Sequence, residues 1–319
     1  MTGMKHLERV AIVGAGGHIG RPITTSLLQS GKHSLTALTR PGSTTALPPG
    51  IDCIEVDYTD HPSLVATLKS RKIQFLIITL STSAPPDTHT RLVRAASEAG
   101  VPYIMPNVYG GDLFNEKLAA EDQYTRASLA KCKEIEALGN TAFIALSCSF
   151  WFEWSLARGE TFFGFDVARR KVTFYDDGLT RIATSTLDQC GRAVAGLLAL
   201  PEDTIAERFK NGAVYVASFT VCQREILDSL HGVLGTRDED WEIRYQGSKE
   251  RYEEGLKELG EGNGLGFIKA LYARGFFPGG GGDFEASRGL HNGLLGLEKE
   301  KLDDAVRVAV ALVESGWTP

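Results

Sequence analysis

The run IVGAGGHIGRP, Ile12 to Pro22, is the feature that most limits what this chain can fold into. Gly14, Gly17 and Gly20 recur at a spacing of three, behind the short β-branched segment RVAIVG and ahead of RPITTSLLQSGK. In that second segment Ile23, Leu27 and Leu28 fall at helical spacing before Gly31. Such a loop needs glycine where the chain turns sharply, where backbone approaches an anion, and where helix packs on strand. Glycine spacing alone also marks plain tight turns. The place of this loop, after the first strand and at the opening of a helix, favours a pyrophosphate cradle, with the first N–H groups of the helix facing the anion. Gly14, Gly16, Gly17, His18, Ile19 and Gly20 are the candidate contacts, and His18 is equally well a water-facing side chain at the helix start.

The strand and helix pattern then repeats. SLTALTR (Ser34 to Arg40), DCIEVDYTD (Asp52 to Asp60), FLIITLS (Phe75 to Ser81), VPYIMPN and TAFIALS read as further strands, and PSLVATLKS, THTRLVRAASEAG and a long run from about Glu116 to Leu138 as helices between them. Six strands with intervening helices predict an α/β fold, a doubly wound parallel Rossmann sheet. The second strand ends on Thr39 and Arg40 with no acid. An Asp or Glu there suits a ribose 2′-OH and an Arg a 2′-phosphate, so Arg40 points to NADP(H) unless it is simply a surface arginine. Asp57 ends the third strand near the adenine position, and Leu80, Ser81, Thr82 and Asn107 face the nicotinamide side of the crevice.

After residue 149 the pattern changes. Phe150, Trp151, Phe152, Trp154, Phe162, Phe163, Phe165 and Phe174 crowd a short span without a clean period, as in pocket lining or a domain junction. Residues 1–149 thus read as the NADP(H)-binding domain, and 150–319 as a smaller, mostly helical substrate region, with segments such as 184–235 packing back on the first. STLDQCGRAVAGLLAL is a helix with Ser185 as its cap, and PGGGGD, with no Gly-Lys-Ser/Thr after it, reads as a flexible surface loop. The 43% hydrophobic and 23% charged content is that of a globular protein, and a net charge of −6 argues against a nucleic-acid or membrane-surface binder. Five cysteines without a C-x-x-C pair, seven histidines without metal spacing and no apolar run of spanning length predict a cytoplasmic protein without a metal. Its partner is then a small-molecule substrate, and its state a monomer or homodimer.

IVGAGGHIG, the TR after strand two, VDYTD, GVPYIMPNVYG and KEIEALGNTAFIALSCSFW together resemble the NmrA-like and isoflavone reductase-like branch of the atypical short-chain dehydrogenases/reductases, closest to fungal members described as CipA-like. The likeness covers essentially the whole chain. It implies NADPH binding, an extended Rossmann domain with a smaller substrate domain and, in catalytic members, reduction of an aromatic or phenylpropanoid-type compound. In those reductases a lysine lies eleven residues before the glycine that ends the long helix; here that glycine is Gly139 and the position is Ser128. Tyr124 shares a helix face with Ser128, and Lys131 lies one turn beyond. A tyrosine donates a proton well only when a nearby cation lowers its pKa, so Tyr124, Ser128 and Lys131 are the expected acid and its support. Tyr109, Phe150, Trp151 and Trp154 are the expected substrate contacts. Two functions are in view: an NADPH-dependent reductase of a small aromatic or polyketide-like carbonyl or enone in secondary metabolism, or an NADP(H)-sensing regulator without turnover.

Overall fold

The computed structural model describes residues 6–81 and 83–318. The first half follows the glycine loop's pattern: β1 (Arg9–Val13), α1 (Gly20–Ser30), β2 (Ser34–Thr39), β3 (Asp52–Glu55), α2 (His61–Ser70), β4 (Phe75–Ile78), α3 (Thr88–Glu98), β5 (Tyr103–Met105), β6 (Tyr109–Gly110), α4 (Glu116–Glu121), α5 (Gln123–Ala137) and β7 (Ala142–Ser147). The second half adds β8 (Phe150–Trp151), α6 (Phe152–Leu156), β9 (Phe165–Asp166), β10 (Lys171–Tyr175), β11 (Ile182–Ser185), α7 (Leu187–Leu198), α8 (Glu202–Phe209), β12 (Gly212–Tyr215), β13 (Phe219–Val221), α9 (Gln223–Leu234), β14 (Glu242–Gln246), α10 (Ser248–Gly260), α11 (Gly264–Gly275), α12 (Phe284–Arg288) and α13 (Leu302–Glu314).

The main sheet runs β12-β7-β5-β4-β1-β2-β3, with β6 also on β7, and every pairing in it is parallel. This is a doubly wound Rossmann sheet. All four residues of β4 are buried because helices cover both faces, which is why the strand reads as a continuous apolar run. Ile23 and Leu27 of α1 and Val194 and Leu197 of α7 fill one face; Leu64 of α2, Leu92 of α3 and Ile135 of α5 fill the other. Gly191 lets α7 lie against α1, since a Cβ there would come 2.4 Å from the Pro22 carbonyl oxygen. AVYVAS thus supplies β12, an edge strand of the main sheet, although it lies well past residue 149 in the chain.

The second region carries two three-stranded sheets, β14-β10-β9 and β13-β11-β8, beside α9 to α13. Strands of two to five residues are too short for alternation to show in the sequence. The long helix expected from Glu116 to Leu138 is two helices. Asp122 adopts an extended conformation and its carboxylate accepts the N–H groups of Tyr124 and Thr125, so a new helix starts there. The cap of α7 is Thr186, whose Oγ1 accepts the Gln189 N–H, and not Ser185. The PGGGGD segment is packed, not loose: a Cβ on Gly282 would come 2.1 Å from the Gly275 carbonyl oxygen, and Gly280 accepts from the buried Arg274. Gly280 and Gly282 answer close backbone approach, and Gly279 and Gly281 a positive φ.

Candidate active site

Gly14 has φ +82°, and a Cβ there would lie 2.1 Å from the Thr79 carbonyl oxygen. Gly20 is as tight, 2.0 Å from the Gly14 carbonyl oxygen, so α1 packs directly on the turn after β1. The Thr79 hydroxyl fixes that turn by donating to the Val13 carbonyl at 2.7 Å. Gly17 differs: its nearest neighbour would be the Gly14 oxygen at 3.3 Å, which leaves its outer side free for an anion. Ile19 is buried in the core, so only its backbone is available to a ligand, and Gly16 lies under Thr45 and Ala46.

From this loop a crevice of about 490 Å³ runs to the ends of β2 and β3, bounded by Thr39, Arg40, Ser43, Asp57 and Tyr58. Tyr58 donates to the Leu38 carbonyl at 2.7 Å; burial pushes its pKa up to about 12, and Arg40 pulls against that shift. Asp57 turns back to accept the N–H and hydroxyl of Thr59, which holds its carboxyl below the usual range. Leu80 and Ser81 line the other end, where the Asn107 amide donates to the Leu80 carbonyl at 3.2 Å and Ser81 bonds Ser83. Thr82 lies outside the described residues. Lys131 reaches this end too, its Nζ 3.4 Å from the Asn107 carbonyl oxygen, beside buried His89. Burial, then Lys131, lowers the His89 pKa to about 4, so the ring is neutral.

On the other side of the loop a cleft of about 760 Å³ opens between Gly16, Gly17 and His18 and the outer helix α13. His18 meets Trp317 edge to face at 6.0 Å and so faces this cleft rather than the crevice. Glu153 and Trp154 form its inner wall. Trp154 also lines a third space, an apolar pocket of about 240 Å³ that holds Tyr109, Tyr124, Phe150, Trp151 and Tyr272. Phe150 stacks on Tyr272 at 4.2 Å, Trp151 meets Trp154 at 5.8 Å, and the Arg158 guanidinium sits 4.5 Å over Trp154. The four residues expected to contact substrate therefore share one pocket.

The expected acid, Tyr124, is buried and already bonded. The Tyr124 oxygen accepts the Tyr109 N–H at 3.3 Å, and its ring lies where a Cβ of Gly110 would be, 2.5 Å from Cε1. Ser128 is close enough to bond it. The Lys131 ammonium donates to the Asn107 carbonyl, two residues before the Tyr109 N–H that Tyr124 accepts. Burial pushes the Tyr124 pKa up to about 12. Tyr109 is likewise committed, donating to the Ile78 carbonyl at 3.0 Å.

Residues 6–141 match the NmrA-like family. Over 304 residues the chain is 25% identical to the oxidoreductase aprR of Aspergillus flavus, across 93% of this chain and 97% of that protein. Its backbone follows isoflavone reductase with a TM-score of 0.74 at 21% identity, covering 94% of this chain and 98% of the other. It follows the binary complex of leucoanthocyanidin reductase with NADPH from Vitis vinifera at 0.74 and 16% identity, covering 95% and 99%. At these identities the two structural likenesses establish the fold. Beyond the matched residues, two site residues escape sequence reasoning. Tyr272 stands in a helical stretch with nothing local to single it out. Glu153 does carry a signal, a lone acid inside the aromatic run FWFEWS.

Proposed function

We propose that this chain is an NADPH-dependent oxidoreductase that reduces a small, flat, apolar carbonyl or enone, aromatic or polyketide-like, held in the Phe150 pocket. The observation that carries this reading is continuity. Gly16 and Gly17 belong to both the crevice and the cleft, and Trp154 to both the cleft and the aromatic pocket. A dinucleotide fits the loop on its own geometry, because Gly14 and Gly20 close the turn and Gly17 keeps backbone exposed on the outer side. Gly14 to Gly20 would hold the pyrophosphate, with His18 toward the cleft and Ile19 through its backbone. Arg40 and Thr39 would hold the 2′-phosphate, Asp57 would border the adenine, and Leu80, Ser81, Asn107 and Lys131 would border the nicotinamide half. NADPH supplies the hydride. The apolar walls exclude water and orient a flat substrate by stacking, and Tyr124 lines the same pocket. The aprR relative is an oxidoreductase by name, and related folds bind NADPH, which supports the same conclusion.

The test is a fluorescence titration with NADPH and NADH, followed by consumption of NADPH with trans-chalcone and 9,10-phenanthrenequinone as probes. Wild type should prefer NADPH, and Arg40→Ala should lose the preference by about tenfold or more, the worth of one charge-assisted contact. Equal affinity for both nucleotides would contradict the Arg40 assignment. The second reading, an NADP(H) sensor, draws on Ser128 standing where the resembling reductases have a lysine; tight NADPH binding without consumption of either probe would favour it.

A further inference from the structure

Most of the polar side chains that line the aromatic pocket are already committed. Tyr109 donates to the Ile78 carbonyl, the Tyr124 oxygen accepts the Tyr109 N–H, and the Tyr272 hydroxyl is bonded to Ser155 at 2.7 Å. Asp122 and Thr125 are spent on the start of α5, where the Thr125 hydroxyl donates to the Asp122 carboxylate. The indole nitrogens of Trp151 and Trp154 have no partner, but both are enclosed. Ser149 differs. It lines the pocket and is 7% exposed, and its hydroxyl is neither bonded to a described residue nor among the enclosed polar atoms. Its backbone is strained as well. Of the five described non-glycine residues with positive φ, Ser149, at +57°, is the buried one; Lys72, Arg170 and Asp176 are exposed and Asn211 is half-buried. Glycine would hold that conformation without the clash between Cβ and carbonyl that other residues meet. The chain thus keeps a side chain where the backbone favours none, and the strain lies in a ligand pocket, where such outliers gather. β7 ends at Ser147, and the Ser149 N–H donates to the Gly110 carbonyl of β6 at 2.8 Å. Ser149 therefore stands at the carboxyl edge of the main sheet, where open α/β folds bind their ligands.

We propose that Ser149 is the residue by which the pocket recognises the substrate's oxygen, its hydroxyl donating a hydrogen bond to a carbonyl held among the aromatic rings; this rests on the reading that the Phe150 pocket takes the substrate. Aromatic and aliphatic walls bind a flat hydrocarbon frame by area and stacking, which fixes its plane but not which end points where. One polar group with spare capacity supplies that direction. A serine hydroxyl donates one hydrogen bond and accepts others, so it takes a carbonyl or a hydroxyl oxygen, and being uncharged it gives carboxylate or phosphate no advantage. The favoured class is therefore a flat apolar compound with a neutral oxygen. Tyr109, next to Gly110, reaches the Ile78 carbonyl at the end of β4, and Leu80, two residues further on, borders the crevice. Ser149 and the crevice end assigned to the nicotinamide thus share one edge of the sheet.

The role is tested by calorimetric binding of trans-chalcone and of trans-1,3-diphenylpropene, which keeps both rings and the double bond but has CH₂ in place of the carbonyl. Both titrations are run with NADP⁺ present, which has no hydride to give. Ser149→Ala should weaken chalcone binding about three- to tenfold, the net worth of one neutral hydrogen bond, and leave 1,3-diphenylpropene binding unchanged. Ser149→Gly also lacks the hydroxyl but adopts a positive φ freely. It should show the same selective loss with a melting temperature near that of wild type, which separates the hydrogen bond from damage to the fold. Chalcone affinity unchanged in both variants, or an equal loss for the two probes, would overturn the Ser149 role and leave the reductase reading standing. Wild type that binds neither probe would overturn the role together with the pocket reading. A selective loss in a protein that consumes no NADPH with chalcone would keep Ser149 as the oxygen-recognising residue and remove the reductase reading.

Discussion

Gly14 and Gly17 lie three residues apart and are glycine for different reasons. Alanine at 14 must hold φ +82° and meet the Thr79 carbonyl at 2.1 Å, so Gly14→Ala should cost about 3 kcal/mol in chemical denaturation. Alanine at 17 meets only the Gly14 oxygen at 3.3 Å. Gly17→Ala should therefore cost less than about 1 kcal/mol of stability yet weaken NADPH binding by about tenfold or more. Equal effects of both changes on stability would undo this division. Glu153 makes a second prediction at this scale. Its carboxyl titrates near 4.5 in the unfolded chain and near 7 in the fold, so between those values the native state holds a proton that the unfolded chain has lost. Stability then falls as pH rises through that window, by about 3 kcal/mol in all. Denaturation curves of wild type and Glu153→Gln should diverge from pH about 5 to 7 and run parallel above it. The glycine loop was legible in the sequence because its demands are local: a turn and a close approach. Glu153 was not, since its state depends on a Leu187 N–H and on Glu300, both far along the chain.

The strands and helices of the first domain were equally legible, for strands buried on both faces read as apolar runs and α1 as a spaced stripe. The break at Asp122 was not. An aspartate in a helical run reads as a solvated position, and only the structure shows its carboxylate, 6% exposed, capping α5 through Tyr124 and Thr125. Asp122→Ala should cost about 1 to 2 kcal/mol in thermal or chemical denaturation, and Asp122→Asn distinctly less, since asparagine caps as well as aspartate. If Asp122→Ala left stability unchanged, the cap would not be what separates α4 from α5. The same limit hid β8, β9 and β13, whose two or three residues cannot show a period.

Across the molecule, function depends on surfaces that the chain assembles from distant parts. Phe150 meets Tyr272 of α11, Gly282 walls the pocket beside Ile182, and α13 closes the cleft over the glycine loop. No local pattern encodes these meetings, which is why the sequence pointed to an aromatic pocket without showing which distant segments build it. Gly16 and Gly17 border both the crevice and the cleft, and Trp154 both the cleft and the pocket; the proposed reaction is direct hydride transfer from NADPH bound at the loop to a substrate in the pocket. The direct measurement is mass spectrometry of the product formed from trans-chalcone with NADPH deuterated at the transferable C4 position. The account predicts one deuterium in the reduced probe for each NADPH consumed. NADPH that binds tightly but keeps its deuterium, with the probe unchanged, would contradict it.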